Sequence, residues 1–285
     1  MTSNNAILLI SAPDQKGLVY VITEFIYKNN GNILHAEQHI DPISNIFFMR
    51  IEWNLDNFTI PSNIIKTKLE PLTKQWRLSL QLYFADEVVK SAIFVSKKQH
   101  CLHDLLLKHQ YNELPMNLAC IISNHEDGME IAKFYDIPYY HIPKKPHDKD
   151  KPEQKEISIL KKHKVELIIL ARYMQILSPN FINTFPNKII NVHHSFLPAF
   201  IGLNPYKQAY ERGVKIIGST SHYTTEILDD GPIIDQQVLP TSHKDNLQNL
   251  IIKGKTLESI ALSNAVKKHL NHKICVYNSK TVVFD

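Results

Sequence analysis

Glu166-Leu167-Ile168-Ile169-Leu170-Ala171 (ELIILA) has no alternation: after its first residue every side chain is apolar. A run this short, uniformly apolar and rich in Ile, predicts a strand covered on both faces. The helical segment Gln154–His163 precedes it. The same texture recurs on either side. Ala92–Val95, Leu118–Ile122, Ile189–Val192 and Ile216–Ser219 are further short apolar runs, and Leu102–Lys108 and Asp127–Tyr135 carry helical spacing between the earlier ones. Strands alternating with helices predict a doubly wound, mostly parallel sheet of the α/β class. Ile234–Leu239 reads as a more alternating edge strand. Asn246–Leu270 reads as a long helical stretch interrupted near Gly254, and Pro143–Pro152 (PKKPHDKDKP) as a polar loop bracketed by prolines.

The texture ahead of residue 86 is different. Ala6–Ser11 is an apolar strand, and Lys16–Asn29 places Leu18, Ile22, Phe25 and Ile26 on one helical stripe, with Gly31 as a stop. Ile33–Ile40 and Ile46–Trp53 follow as strands. A helix carrying Ile64, Ile65, Leu69 and Leu72 comes next, and then a strand with Leu78, Leu80, Leu82 and Phe84 on one face. The order β-α-β-β-α-β is the ferredoxin-like α+β pattern. Asp86–Lys90 is a charged hinge, which divides the chain into 1–86 and 87–285.

A length of 285 residues agrees with two domains, and 44% hydrophobic with 21% charged residues excludes a disordered or fibrous chain. A net charge of +4 is too weak a basic excess to mark a nucleic-acid binder. No apolar run approaches the roughly 20 residues of a membrane span, and no signal-type segment opens the chain. Cys101, Cys120 and Cys275 are odd in number and widely spaced, which argues against a disulfide framework or zinc site. The expectation is a reduced, cytoplasmic protein. Glycine is scarce, with 8 residues where average usage gives roughly 20.

Chemistry concentrates in Asn191-Val192-His193-His194-Ser195, at the end of the predicted strand Lys188–Val192. Period-two alternation points Asn191 and His193 the same way, at the carboxyl end where open α/β sheets place their sites. An amide beside an imidazole suits acyl transfer: one steadies an oxyanion while the other moves a proton. A satisfied polar strand end is the competing reading. Ile227-Leu228-Asp229-Asp230-Gly231-Pro232, after the strand carrying His222, reads first as turn chemistry. Its alternative is a carboxylate brought to His193 to orient it. Adjacent His193 and His194 face opposite ways in a strand and cannot chelate together. Neither HExxH nor a GxSxG elbow occurs, so neither a catalytic metal nor a serine nucleophile is expected.

The stretch NVHHSFLPAFIGLNPYKQAYERGVKIIGSTSHY followed by LDDGPIIDQ resembles the catalytic domain of the formyltransferases that use 10-formyltetrahydrofolate. That resemblance implies a catalytic set of Asn191, His193 and Asp229. It further implies a folate pocket along Met174, Gln175, Ile176 and Leu177 and around Ile227, Leu228 and Asp230. His222 stands as a support for Asp229 or as a purely structural histidine. The N-terminal APDQKGLVYVITEFIYKNNGNILHAEQHID with FFMRIEW resembles an ACT domain. It implies a small amino-acid effector near Asp14, Gly17, Leu18, Gly31 and Asn32, and assembly as a homodimer or tetramer; dimerisation without a ligand is the alternative. ACT followed by formyltransferase, over essentially the whole chain, resembles the formyltetrahydrofolate deformylases.

The formyl acceptor separates the members of that group. Glycinamide ribonucleotide formyltransferases cradle a phosphate on a glycine-rich loop after the first catalytic-domain strand, where backbone N–H groups need close approach. Here Ser96-Lys97-Lys98-Gln99-His100-Cys101-Leu102 contains no glycine. Lys97 and Lys98 either attract an anion or form a solvated turn. About 55 residues follow Gly231, too few for the basic tRNA-binding domain of methionyl-tRNA formyltransferases. Water is then the expected nucleophile, with no cofactor and no metal required. Transfer to an unidentified amine acceptor is the alternative.

Overall fold

The computed structural model describes residues 4–144, 150–200 and 204–285. They form two compact units, one comprising the chain up to Val88 with Asn271–Tyr277 and Val282–Asp285, the other Val89–Leu270 with Asn278–Thr281. The sequence predicts a single boundary at 86/87. The chain instead gives its last residues to the first unit.

The first unit runs β1 (Asn5–Pro13), α1 (Leu18–Lys28), β2 (Asn32–Asp41), β3 (Ile46–Asn54), α2 (Ser62–Trp76) and β4 (Ser79–Phe84). Its sheet has the order β2-β3-β1-β4, with every neighbouring pair antiparallel. Ala6, Leu8, Ile10 and Ala12 of β1 join Leu18, Ile22 and Ile26 of α1 and Ile65 and Leu69 of α2 in one core. Strand β1 is apolar on its other face too. There Leu9 and Phe48 pack with Cys275 and Phe284 from the chain terminus, whose strands are β12 (Ile274–Tyr277) and β13 (Lys280–Val283). That second cover explains why Ala6–Ser11 does not alternate. Arg50, 4% exposed, is held there by a hydrogen bond to the His272 carbonyl at 3.1 Å and by Glu52 at 3.0 Å.

The second unit runs β5 (Val89–Val95), α3 (His100–Gln110), β6 (Met116–Ser123), α4 (Met129–Phe134), β7 (Tyr139–His141), α5 (Asp150–Lys162), β8 (Leu167–Ala171) and α6 (Pro179–Thr184). It continues through β9 (Ile189–His193), α7 (Pro205–Arg212), β10 (Ile216–Tyr223), β11 (Ile233–Pro240) and α8 (Leu247–Leu270). The sheet order is β11-β10-β9-β8-β5-β6-β7. Strands β5 to β9 pair in parallel, and every residue of β8 is buried, as its unbroken apolar run requires. The chain starts in the middle at β5, winds outward through β6 and β7, then returns through β8 and β9. The switch of direction falls between β5 and β8, where open α/β sheets form crevices.

Three expectations change. Ile216–Ser219 belongs to β10, which runs antiparallel to β9, not parallel; β10 starts at the sheet end where β9 stops, so no crossover over the sheet is needed. Helix α8 is continuous through Gly254, because this glycine serves packing and not termination: a Cβ there would lie 2.1 Å from the Tyr206 ring. Helix α5 begins at Asp150, inside the segment read as a loop, with Asp150 and Glu153 in its first turn where the helix dipole favours them. Lys144 from that same segment is buried, 3.0 Å from Glu156 and 3.7 Å from Glu153; residues 145–149 of the predicted loop lie outside the described residues. No helix among the described residues is long and apolar enough to cross a membrane.

Candidate active site

Strand β9 ends with Asn191 and His193 on one face, as alternation requires, and β10 lies against it with Thr220 opposite His193 and His222 opposite Asn191. The register therefore delivers two imidazoles and an amide to one place. Asp229 completes the group from the loop between β10 and β11. Its Oδ2 lies 3.1 Å from His193 Nδ1 and its Oδ1 lies 3.7 Å from His222 Nε2. Asn191 Nδ2 meets His222 Nε2 at 3.3 Å.

The loop reaches that position because of Gly231. A Cβ on this residue would fall 1.6 Å from the Tyr223 carbonyl oxygen and 3.1 Å from His222 Nδ1, so only glycine lets the loop close onto β10. The Tyr223 amide donates to the Pro232 carbonyl at 2.9 Å and seals the closure. Asp229 itself sits in the left-handed region at φ 57°, which Asp tolerates better than most residues.

The electrostatics follow from burial. Removal from water opposes ionisation of Asp229, but the His193 and His222 rings beside it outweigh that and hold the carboxyl well below the usual carboxylate range. His193 is 6% exposed, and its Nε2 is buried without a hydrogen-bond partner among the described residues. One ring nitrogen is thus committed to a carboxylate and the other is free to take or give a proton. His194 beside it is pushed down to about 4 by burial, then by the nearby Arg172 and His193, so it is neutral at physiological pH. Ser195 donates its hydroxyl to the Ala199 carbonyl at 2.7 Å and caps the turn after β9.

The predicted folate segments lie at the same sheet end. After β8, Arg172 adopts φ 60° and turns the chain, and the Met174 amide donates to Ser96 Oγ at the end of β5 at 3.1 Å. Leu177 is buried, whereas Met174 and Ile176 are 57% and 61% exposed, and Ile227 and Leu228 are 67% and 60% exposed. Four exposed apolar side chains on two loops at the site are the kind of surface that a flat, partly apolar ligand covers. Gln175 is half-buried and Asp230 exposed.

Among the described residues, one group of His, Cys, Asp and Glu has metal-ligand spacing: His100, Cys101 and Glu258. Glu258 already accepts from Tyr206 at 2.6 Å, meets His100 at 2.7 Å and lies 3.3 Å from the Arg172 guanidinium. With a fixed cation on the carboxylate, this is an ion-pair network and a poor metal seat. Sequence reasoning missed it because Glu258 lies far along α8 from its partners; the Gly254–Tyr206 contact that assembles it has no signature short of the structure.

In the first unit a cavity of about 500 Å³ is lined by Asp14, Gln15, Gly17, Leu18, Gln38 and neighbours. Gly17 is left-handed at φ 98° and starts α1. Gly31 and Asn32, predicted to share an effector site with them, do not join these residues: they follow the opposite end of α1, whose 11 residues span about 16 Å. Gly31 is there because Ile26 packs against it, at 2.6 Å from a would-be Cβ.

Comparison with known proteins agrees with this geometry. A model of the formyl transferase family matches residues 89–266. The chain is 47% identical to the formyltetrahydrofolate deformylase of Synechocystis sp. over the full length of both, and 42% identical to that of Bacillus subtilis over 98% of this chain and 93% of the relative. The crystal structure of a formyltetrahydrofolate deformylase from Pseudomonas syringae superposes with a TM-score of 0.97 at 37% identity, covering 99% of this chain and 95% of the other.

Proposed function

The chain belongs to the formyltetrahydrofolate deformylase family, which shares its catalytic fold with the formyl transferases, and from that premise we propose how its residues carry the reaction. The enzyme hydrolyses 10-formyltetrahydrofolate to tetrahydrofolate and formate. The observation that carries the residue assignment is the His193 ring, with Nδ1 3.1 Å from an ionised Asp229 and Nε2 buried and unpartnered.

Asp229 accepts a hydrogen bond from Nδ1–H and fixes the tautomer that leaves a lone pair on Nε2. Nε2 takes a proton from water as the water oxygen bonds to the formyl carbon. The carbonyl electrons move onto oxygen, and the Asn191 amide donates to that oxyanion. The imidazolium then gives its Nε2 proton to the folate N10 as the C–N bond breaks, because an anilide anion is a poor leaving group, and the formic acid that departs yields its proton to solvent as formate. Asp229 steadies the imidazolium between the two transfers. Met174, Gln175, Ile176 and Leu177 with Ile227, Leu228 and Asp230 hold the folate. Neither a metal nor a further cofactor enters the scheme.

Release of formate from 10-formyltetrahydrofolate without any acceptor tests the assignment of water as nucleophile. Strict dependence on an amine would restore the alternative, transfer to an amine acceptor. Replacing Asp229 by Asn should cut turnover steeply while folate still binds.

The first unit is assigned as an ACT regulatory domain. Its β-α-β-β-α-β order supports this, as does the cavity at Asp14, Gly17 and Leu18. A small amino acid is the proposed effector there, glycine and methionine being the first to test. Strand β2 is a largely exposed sheet edge, a surface suited to pairing with a second copy in a dimer or tetramer. The proposed setting is the cytoplasm, where the enzyme balances one-carbon folate pools and supplies formate for purine synthesis. Three buried, unpaired cysteines support that setting. No nucleic acid or membrane partner is proposed.

A further inference from the structure

The rings of His193 and His194 stand side by side, although neighbours in a continuing strand would point apart. Strand β9 ends at His193, so the alternation stops there. The Ser219 hydroxyl donates to the His193 carbonyl at 2.9 Å, and the Thr220 hydroxyl donates to the Ser195 carbonyl at 2.9 Å. These two bonds hold the bend that directly follows the strand. The two imidazoles end with centroids 5.0 Å apart and planes inclined by 41°. The Tyr206 ring lies 5.8 Å from His194, and its hydroxyl is anchored on Glu258 at 2.6 Å. His194 is thus seated against two fixed rings.

The nitrogens of this second imidazole are unclaimed. The His194 ring makes no hydrogen bond to any described residue, and neither nitrogen is sealed from water. The residue is half-buried and lines a cavity of about 380 Å³. Because the ring is neutral, one nitrogen donates and the other carries a lone pair.

Hydrolysis has a use for that lone pair. The attacking water has two O–H groups, and His193 Nε2 takes only one. With the other unheld, the oxygen turns about its single hydrogen bond and its lone pair is not kept on the carbon. Asp229 directs its oxygens at the two imidazoles, 3.1 Å from His193 and 3.7 Å from His222. The Asn191 amide nitrogen is a donor. Two hydrogen bonds of about 2.8 Å that meet at one water oxygen span roughly 4.5 Å, a reach that suits rings with centroids 5.0 Å apart.

We propose that His194 is a second catalytic imidazole, whose free nitrogen accepts the O–H of the attacking water that His193 does not take and so aims the oxygen at the formyl carbon. No extra proton moves. His193 Nε2 takes one hydrogen as a proton, the oxygen bonds to carbon, and the other hydrogen stays on that oxygen in the tetrahedral intermediate. The role rests on water being the nucleophile.

Steady-state formate release from 10-formyltetrahydrofolate, without acceptor, tests both in turn. A wild-type enzyme that releases none overturns water as the nucleophile. With wild-type turnover in hand, His194→Leu and His194→Ala remove the acceptor. Each should lower kcat roughly 10- to 100-fold and leave KM within about twofold. The amide of Asn stands near the Nδ1 position and that of Gln near Nε2. One of His194→Asn and His194→Gln, which are polar and smaller changes to the fold, should therefore recover at least about a third of wild-type kcat. Thermal melting identifies the folded variants on which the rates are compared. Unchanged kcat in the Leu and Ala variants, a loss that falls on KM, or an equal loss in the Asn and Gln variants overturns the role of His194 and leaves water as the nucleophile.

Discussion

His222 and Asn191 face each other across two antiparallel strands, ring Nε2 to amide Nδ2 at 3.3 Å, and this contact orients the amide. The Tyr223 carbonyl, 2.9 Å from His222 Nδ1, requires the proton on that nitrogen. His222 Nε2 then faces the NH2 end of Asn191 and, at 3.7 Å, Asp229 Oδ1, and the second N–H of Asn191 stays available for an oxyanion. His222→Gln should lower kcat about tenfold, a fraction of what loss of an oxyanion donor removes, and leave KM within about twofold. Steady-state kinetics decide the matter; an unchanged kcat would show that Asn191 holds its orientation without His222.

Asp229→Asn should reduce kcat by about 10³ to 10⁴, the scale seen when a buried carboxylate no longer fixes a catalytic imidazole. Folate binding, measured by fluorescence quenching, should persist.

The same carboxyl has a pH signature. Its folded pKa is depressed below the ordinary value of 3.8, so its stabilising contribution is complete above that value and disappears as pH falls below it. The difference in thermal stability between wild type and Asp229→Asn should be constant near neutrality and shift, to the disadvantage of the wild type, below about pH 4. A difference that stays flat through that window would mean that Asp229 is not held ionised by its neighbours.

Gly231→Ala places a methyl group 1.6 Å from the Tyr223 carbonyl oxygen. The loop must lift, which carries Asp229 away from His193. Destabilisation of about 1–3 kcal/mol by urea unfolding should accompany near-complete loss of turnover. Retention of wild-type activity would show that the loop closes by another route.

Lys144 is buried against Glu156, which also accepts the Tyr173 hydroxyl at 2.8 Å, while Glu153 accepts the Ser178 amide at 3.1 Å. These carboxylates brace both ends of Met174–Leu177. Burial pushes the Glu156 carboxyl up and Lys144 opposes that shift. Lys144→Met leaves the acid without its cation and should destabilise by about 3 kcal/mol, with KM for the folate raised more than kcat falls. The double variant with Glu156→Gln should recover part of the stability; if it is less stable than the single variant, the pairing is not what holds the segment.

The strands are legible in the sequence where burial is two-sided, because an unbroken apolar run such as Leu167–Ala171 suits a strand with both faces covered and little else. Asn191 and His193 are legible together because alternation alone puts them on one face. The direction of β10 is not legible, since a short apolar run carries no sense of parallel or antiparallel. Gly254 reads as a helix stop from propensity, and only Tyr206, about 50 positions away, gives it another purpose. The Glu258 network is hidden for the same reason: its members come from α3, the end of β8, α7 and α8, and no local pattern joins them. Gly31 and Asn32 look like partners of Gly17 because all three flank α1, yet they lie at opposite ends of it.

The pairing of β9 with β10 has a consequence for how such an enzyme diversifies. Backbone register fixes Asn191, His193 and His222. The connection, residues 194–215, instead supplies Asn204, Tyr206 and Lys207 to a cavity of about 380 Å³ that none of the three strand residues lines. The catalytic constellation and these walls of the cavity are therefore heritable separately. Substitutions at Asn204, Tyr206 and Lys207 can reshape those walls while the bond-breaking apparatus is passed on intact.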